Sequence, residues 1–347
     1  SKKNSYTNRI VIDITDLMEA DYFGGIPRVE YNLTNKIHEI IDTNDQVITV
    51  VFAKNAYYIA SWPLNFSFGS ANYFLKVYRC CQHVNQFKNL LLSIFPFSFV
   101  EKKVNKFWRG YLKLPIFFMT LPVIIPLGFL SYFLLFLVGK KWHGLSNDII
   151  LILGSSWLNQ TLWNTIKKFK LNGVKIVTLI HDLIPLQHPE YFNYNHQKEF
   201  REKIPKIIYY SDLIIANSEY TKSQLISYHE KEGISLTAHI EKIQLGYDIK
   251  PDTYDKITIR NFLNEFFKNE NIFICVGTIE PRKNYSFVIN AFEQLWCQHI
   301  NVSLCIIGRY GWQQDVILKN LKEHYQYNKN LFWFKDINDS ELEFCYT

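Results

Sequence analysis

The stretch Ile272-Phe273-Ile274-Cys275-Val276-Gly277-Thr278-Ile279-Glu280-Pro281-Arg282-Lys283-Asn284 decides how this chain is read. Its first five residues form a short apolar run closed by glycine, the signature of a buried strand. A helix is expected next, with Phe287, Val288, Ala291, Phe292 and Leu295 on one face and Asn284 as N-cap. Strand, loop and helix in this order build parallel α/β domains, whose ligands bind beyond the carboxyl ends of the strands. Arg282 and Lys283 then stand at the positive end of a helix, and two cations beside free N–H groups suit a diphosphate. The same pair also suits an ordinary solvated loop.

The pattern repeats in both directions from this stretch. Strands are expected at Ile10 to Ile14, Ile149 to Leu153, Val174 to Ile180, Asp212 to Ala216 and Ile240 to Leu245. Val29, Leu33, Ile37 and Ile40 recur at helical spacing, and Asn217-Ser218 reads as a helix start. Further on, Val302 to Gly308 and Leu331 to Phe334 read as strands. A charge-dense segment from Lys250 to Glu270 reads as a connection plus a short helix. The expected division is therefore an N-terminal domain over 9–250 and a second over 251–347. The second is short against the roughly 150 residues of a full nucleotide-binding domain, so it is expected to be incomplete. The chain has no initiator Met and ends inside a helical pattern, and it reads as part of a longer frame.

Two more strand ends carry candidate ligand groups. Gly24-Gly25-Ile26-Pro27-Arg28 follows the first strand. Paired glycines let a backbone approach a ligand, and Pro27 suits the first turn of a helix whose N-terminus attracts anions. A tight turn with no ligand reads equally from these residues. His181-Asp182 closes the strand ending at Ile180. An imidazole there can donate a hydrogen bond to a sugar hydroxyl or a phosphate, or simply cap the loop.

An insertion is expected at about 54–145. Within it, 114–139 contains no charged residue, and 26 residues exceed the roughly 20 needed to span a bilayer. Lys102, Lys103, Lys106, Arg109 and Lys113 precede it, and Lys140 and Lys141 follow. Basic flanks on both ends favour the cytoplasmic side and anionic headgroups. A single span would put strands of one sheet on opposite sides of the membrane, and Pro115, Pro122 and Pro126 interrupt a straight helix. A re-entrant hairpin, an in-plane interfacial segment and a buried insertion all remain open.

Composition excludes several classes. Hydrophobic residues make up 48% and charged residues 20%, which describes a folded protein and not a disordered one. A net charge of +6 without a basic recognition motif gives no reason to expect a nucleic-acid partner. The six cysteines, at 80, 81, 275, 297, 305 and 345, include no Cys-x-x-Cys pair and read as reduced thiols. No metal set and no Asp-x-Asp motif is present in the sequence.

Taken in order, these pieces resemble family 4 glycosyltransferases, in particular the mannosyltransferase-like branch that builds bacterial surface polysaccharides. Gly24-Gly25-Ile26-Pro27-Arg28-Val29 looks like that branch's first loop, and His181-Asp182-Leu183-Ile184-Pro185 like its second. Asn217-Ser218-Glu219-Tyr220-Thr221 and Leu245-Gly246-Tyr247-Asp248 match later landmarks. The segment Gly277 to Asn284 is the most diagnostic, followed by Ile307-Gly308-Arg309-Tyr310-Gly311-Trp312 and Asp339-Ser340-Glu341-Leu342. The family's loop with two glutamates eight positions apart does not occur here, and Thr278 stands where many relatives carry arginine.

The resemblance implies an α/β chain of GT-B type: two Rossmann-like domains, the second incomplete, with an apolar insertion in the first. It implies a retaining hexosyltransferase that moves a sugar, mannose from GDP-mannose favoured, to a lipid-linked or polysaccharide acceptor. It implies donor binding by Gly24, Gly25, Arg282 and Lys283, and catalysis by His181, Arg282 and Lys283. It implies no cofactor, metal-independent chemistry and work at the cytoplasmic face of the membrane. A non-catalytic membrane-associated module that binds sugar nucleotide or lipid is the competing reading, and a sugar phosphorylase a third.

Overall fold

The computed structural model describes residues 9–20, 25–41, 47–60, 62, 139–159, 161–246, 259–268, 271–311 and 315–346. The chain divides into two compact units, residues 1–183 with 199–244, and residues 184–198 with 245–347. Each is an α/β unit built on its own sheet.

The first unit opens with β1 (Ile10–Asp13), α1 (Thr15–Glu19) and α2 (Ile26–Ile40). The hairpin β2 (Val47–Ala53) and β3 (Ala56–Ala60) follows, and β4 (Ile149–Ile152), α3 (Leu162–Leu171) and β5 (Lys175–Ile180) come after the insertion. β6 (Leu213–Ala216), α6 (Glu219–Glu232) and β7 (His239–Lys242) follow; between β5 and β6 in the chain come α4 (Ile184–Gln187), which belongs to the second unit, and α5 (Tyr194–Tyr210), whose residues from 199 on belong to the first. The strand order is β3-β2-β1-β4-β5-β6-β7. Every pairing is parallel except β2 with β3. The chain thus runs outward from β1 to β3, returns to lay β4 against β1, and then runs outward the other way. The order reverses between β1 and β4, where Ile10 to Asp13 pair with Ile149 to Ile152.

The turn and second strand of the hairpin lie within the stretch read from sequence as the start of the insertion, and its first strand directly precedes it. Thr49 to Ala53 pair with Ala60 to Ala56, and Lys54 and Asn55 form its two-residue turn, both with positive φ. The far edge of the insertion is also part of this unit. Trp142 is buried, packs at a tilt against Phe169, and donates its indole N–H to Asp148. Asp148 meanwhile accepts from Nε and Nη2 of Arg9, at 2.7 and 2.5 Å. The apolar segment 114–138 lies outside the described residues. Among the described residues no helix is long and apolar enough to cross a membrane.

The α2 periodicity places its apolar stripe almost as expected. Val29, Leu33 and Ile37 pack on the core around Ile12, Val51 and Tyr58, but Ile40 is exposed. The fully buried positions of this helix are polar: Glu30 and Thr34.

The second unit holds α7 (Asn261–Phe266), β8 (Ile272–Val276), a 3-10 turn (Pro281–Lys283), α8 (Tyr285–Cys297), β9 (Ser303–Ile307), α9 (Asp315–Glu323), β10 (Leu331–Phe334) and α10 (Asp339–Tyr346). Its sheet, β10-β9-β8, is wholly parallel. β9 lies between the other two and is buried on both faces, with Leu304 and Ile306 in one cluster and Cys305 and Ile307 in another. Such strands read as unbroken apolar runs, as Leu304 to Ile307 does after Ser303. On α8 the buried positions are Tyr285, Ile289 and Trp296, with Val288 and Phe292 beside them. Phe287, expected on that face, is 68% exposed. Val288 and Phe292 of the expected stripe pack on the core, while Tyr285, Ile289 and Trp296 take its most buried positions. Arg260 ties the start of α7 to α10 through a two-point ion pair with Glu341, at 2.5 and 2.8 Å.

Candidate functional site

In the second unit the loop after β8 is organised by Gly277. Its carbonyl accepts from the Tyr285 hydroxyl at 2.8 Å, which ties the first turn of α8 to the strand end. Asn284 is the N-cap residue in a left-handed conformation, without a side-chain cap bond. Arg282 and Lys283 lie on the 3-10 turn that leads into α8.

The two cations differ in their surroundings. The Arg282 Nε lies 2.5 Å from Glu280 Oε1, and Glu280 is only 2% exposed. Lys283 is exposed and makes no ion pair among the described residues. The sequence reading treats the pair as equivalent phosphate ligands. The structure has one held by a buried carboxylate and one with no ion pair to its ammonium among the described residues.

In the first unit, His181 follows β5 and is buried. Its Nε2 lies 2.9 Å from the carbonyl oxygen of Leu153, just past β4. A carbonyl only accepts, so Nε2 carries the proton. Burial holds the imidazole below its usual range, which leaves the ring neutral with Nδ1 as an acceptor. The expectation that His181 donates to a ligand is therefore corrected: its proton is committed to Leu153, and the remaining nitrogen accepts. The backbone beside it is held by the helix-start motif. Ser218 caps α6 by accepting from Thr221 N–H at 3.1 Å, and the Thr221 hydroxyl donates to the His181 carbonyl at 3.3 Å.

Gly25 precedes α2 with φ +57° and ψ −126°, a conformation that excludes most side chains, and open space lies where a Cβ would be. Pro27 occupies the first turn as expected. Gly24 lies outside the described residues.

Sequence reasoning missed a polar cluster at the carboxyl end of β1. Asp13 accepts from the Tyr57 hydroxyl at 2.6 Å and from both the N–H and the hydroxyl of Thr15. Burial outweighs these bonds and lifts the Asp13 carboxyl to about 6. Asp16 accepts from Ser155 N–H at 3.0 Å. Glu30 sits against both aspartates, and burial, then Asp13 and Asp16, push its carboxyl well above the usual range. The signal available was Asp13-Ile14-Thr15-Asp16 directly after the first strand, together with Gly154-Ser155-Ser156 after β4. Among the described residues no group of three or more His, Cys, Asp or Glu could hold a metal ion.

Comparison with known proteins bears on both units. Residues 257–347 match the family described as glycosyl transferases group 1, and residues 145–235 match the N-terminal domain described as glucosyltransferase 3-like. The serotype-specific mannosyltransferase WbdA of Escherichia coli is 33% identical over 173 residues, which is 47% of this chain and 21% of that protein. Another WbdA of the same species is 28% identical over 210 residues, 58% of this chain and 26% of that protein. The matches thus take in only about a fifth to a quarter of these relatives' own length. The crystal structure of Anabaena Alr3699/HepE in complex with UDP-glucose superposes with a TM-score of 0.48 at 12% identity, covering 96% of this chain and 71% of that one. The chain is therefore similar to glycosyltransferases in two successive segments, a glucosyltransferase 3-like N-terminal domain over 145–235 and a group 1 glycosyl transferase domain over 257–347.

Proposed function

We propose that this chain belongs to a retaining GT-B glycosyltransferase of family 4. It would move a sugar, mannose from GDP-mannose before other donors, onto a lipid-linked or polysaccharide acceptor. The observation that carries the reading is Lys283, an exposed ammonium with no ion pair among the described residues, on the turn that opens α8. The leaving group of such a transfer is a nucleoside diphosphate, and a cation placed where its charge grows stabilises the transition state. Arg282, already neutralised in part by Glu280, holds the turn in shape and adds a second positive group. His181 offers a neutral acceptor nitrogen to a sugar hydroxyl. Charge neutralisation by side chains and backbone N–H groups needs no metal, and the proposed reaction uses none. The proposed place of work is the cytoplasmic face of a membrane, reached through the apolar segment 114–139 and its basic flanks. The similarity to WbdA supports the choice of mannose.

The test is calorimetric titration of the full chain with GDP-mannose, UDP-glucose and UDP-N-acetylglucosamine, with Lys283→Ala in parallel. Binding of one donor that Lys283→Ala weakens at least tenfold supports the reading. A cooperatively folded chain that binds none of the three overturns it.

A further inference from the structure

In open parallel sheets the crevice for ligands lies beyond the carboxyl ends of the strands, at the point where strand order reverses. Here that point is between β1 and β4. A crevice of about 30 Å3 opens there, lined by Asp13 at the end of β1 and Asp16 beyond it, by Gly154, Ser155 and Ser156 after β4, and by Glu30 from α2.

Two side chains on this crevice are buried with a polar atom that has no hydrogen-bond partner among the described residues. Glu30 is 1% exposed and its Oε2 makes no hydrogen bond, although its carboxyl accepts from Leu17 N–H. Ser156 is 6% exposed, and its Oγ also makes none. A buried polar atom without a partner costs about 1–3 kcal/mol, so two on residues that line one crevice call for an explanation beyond packing. The crevice is kept open by a missing side chain. A Cβ on Gly154 would lie 2.6 Å from Asp16 Cβ and 3.2 Å from Glu30 Oε2.

We propose that this crevice binds a hydroxyl or hydroxymethyl group of a carbohydrate, held between Glu30 Oε2 and Ser156 Oγ. A hydroxyl both donates and accepts, which is what a carboxyl oxygen and a serine hydroxyl together require. The space suits such a group: about 10–15 Å3 of this kind of volume holds one water-sized group. His181 shares the neighbourhood, since it bonds Leu153, which directly precedes Gly154, and feels the charge of Asp16. The ligand is taken as the acceptor sugar, which rests on the proposed glycosyl transfer. The binding of a carbohydrate hydroxyl does not.

The test uses the full chain and methyl α-D-mannopyranoside as probe, read by saturation-transfer NMR, with a thermal melt of every variant. Ser156→Ala and Glu30→Leu should each bind about tenfold more weakly. Glu30→Gln, whose amide both donates and accepts, should stay within about threefold of the parent. Ser156→Ala should melt no lower than the parent, because it removes an unpartnered oxygen. The assignment is overturned if the parent shows no saturation transfer. It is equally overturned if Ser156→Ala binds the glycoside like the parent, whether or not its melting temperature falls. Nucleotide-sugar titration of the same samples separates the two proposals: loss of donor binding speaks against the transferase reading, and loss of glycoside response against the crevice.

Discussion

Gly308 lies directly against the carbonyl of Gly277. A Cβ built at 308 would stand 2.1 Å from the Gly277 oxygen and 2.7 Å from its carbon. Both glycines have positive φ, +148° and +155°. Gly277 N–H donates to the Ile307 carbonyl at 2.9 Å, and Ile279 N–H to the Arg309 carbonyl at 2.8 Å. The ends of β8 and β9 therefore stay paired past the sheet, and this continuation carries the loop with Arg282 and Lys283.

Gly308→Ala has no room at that contact and must part the two strand ends. We expect a loss of about 3 kcal/mol or more in unfolding free energy, the range of severe overpacking at a strained backbone position. Urea denaturation checks this. A change below about 0.5 kcal/mol, the scatter of neutral surface substitutions, would show that the contact relaxes freely.

The unequal surroundings of Arg282 and Lys283 predict unequal variants. Lys283→Ala should leave the melting temperature unchanged and weaken nucleotide-sugar binding. Arg282→Ala removes the guanidinium from a nearly buried carboxylate and should cost about 1–3 kcal/mol of stability. Paired melts and donor titrations decide, and matching profiles for the two variants would refute the distinction.

Asp13 sets a pH dependence of stability. Its carboxyl rises from 3.8 to about 6 on folding, so the folded chain holds this proton more tightly than the unfolded one. The stabilisation is complete below pH about 4 and is lost as pH rises through about 6, with an upper bound of about 3 kcal/mol. Glu30 is shifted in the same direction. Melts of the parent and of Asp13→Asn between pH 4 and 7 should differ in slope, with the variant flatter. Parallel curves would count against the shift.

Tyr57→Phe removes the hydroxyl that donates to Asp13 from a fully buried site. A buried hydrogen bond to a charged acceptor contributes about 1.5–3 kcal/mol, and a loss of that size is expected in chemical denaturation. The variant should also be hurt more at pH 7 than at pH 4.5, since the bond is strongest to the ionised carboxylate. Equal losses at both pH values would contradict this.

Much of the fold was readable residue by residue. The apolar runs at 149–152, 175–180, 272–276 and 303–307 are strands close to where their composition places them. The first hairpin escaped because its turn is Lys54-Asn55, both in the left-handed region, without the glycine that usually marks such a turn. On α2 the 3.6-residue period located the apolar stripe but gave no hint that Glu30 and Thr34 are its most buried positions. Of the candidate residues, Arg282 and Lys283 in the second unit and the strand-end His181 in the first were legible as short local motifs. The pairing of Arg282 with Glu280 and the commitment of the His181 proton to Leu153 were not, because both depend on a partner's position and not on spacing.

The sequence by itself determined most of the strands and helices outside the first hairpin, since strand formation and helix starts answer to apolar periodicity and capping within a few residues. It also determined that cations and glycines sit at strand ends. Only the tertiary structure decided that β4 returns to lie beside β1, which brings residues 139 positions apart, Asp16 and Ser155, into hydrogen-bonding contact. Strand order is settled by which apolar faces cover one another across the whole unit, a long-range balance that no local pattern encodes. That order places Glu30 and Ser156 on one crevice and so makes a binding position from residues that look unremarkable in the chain.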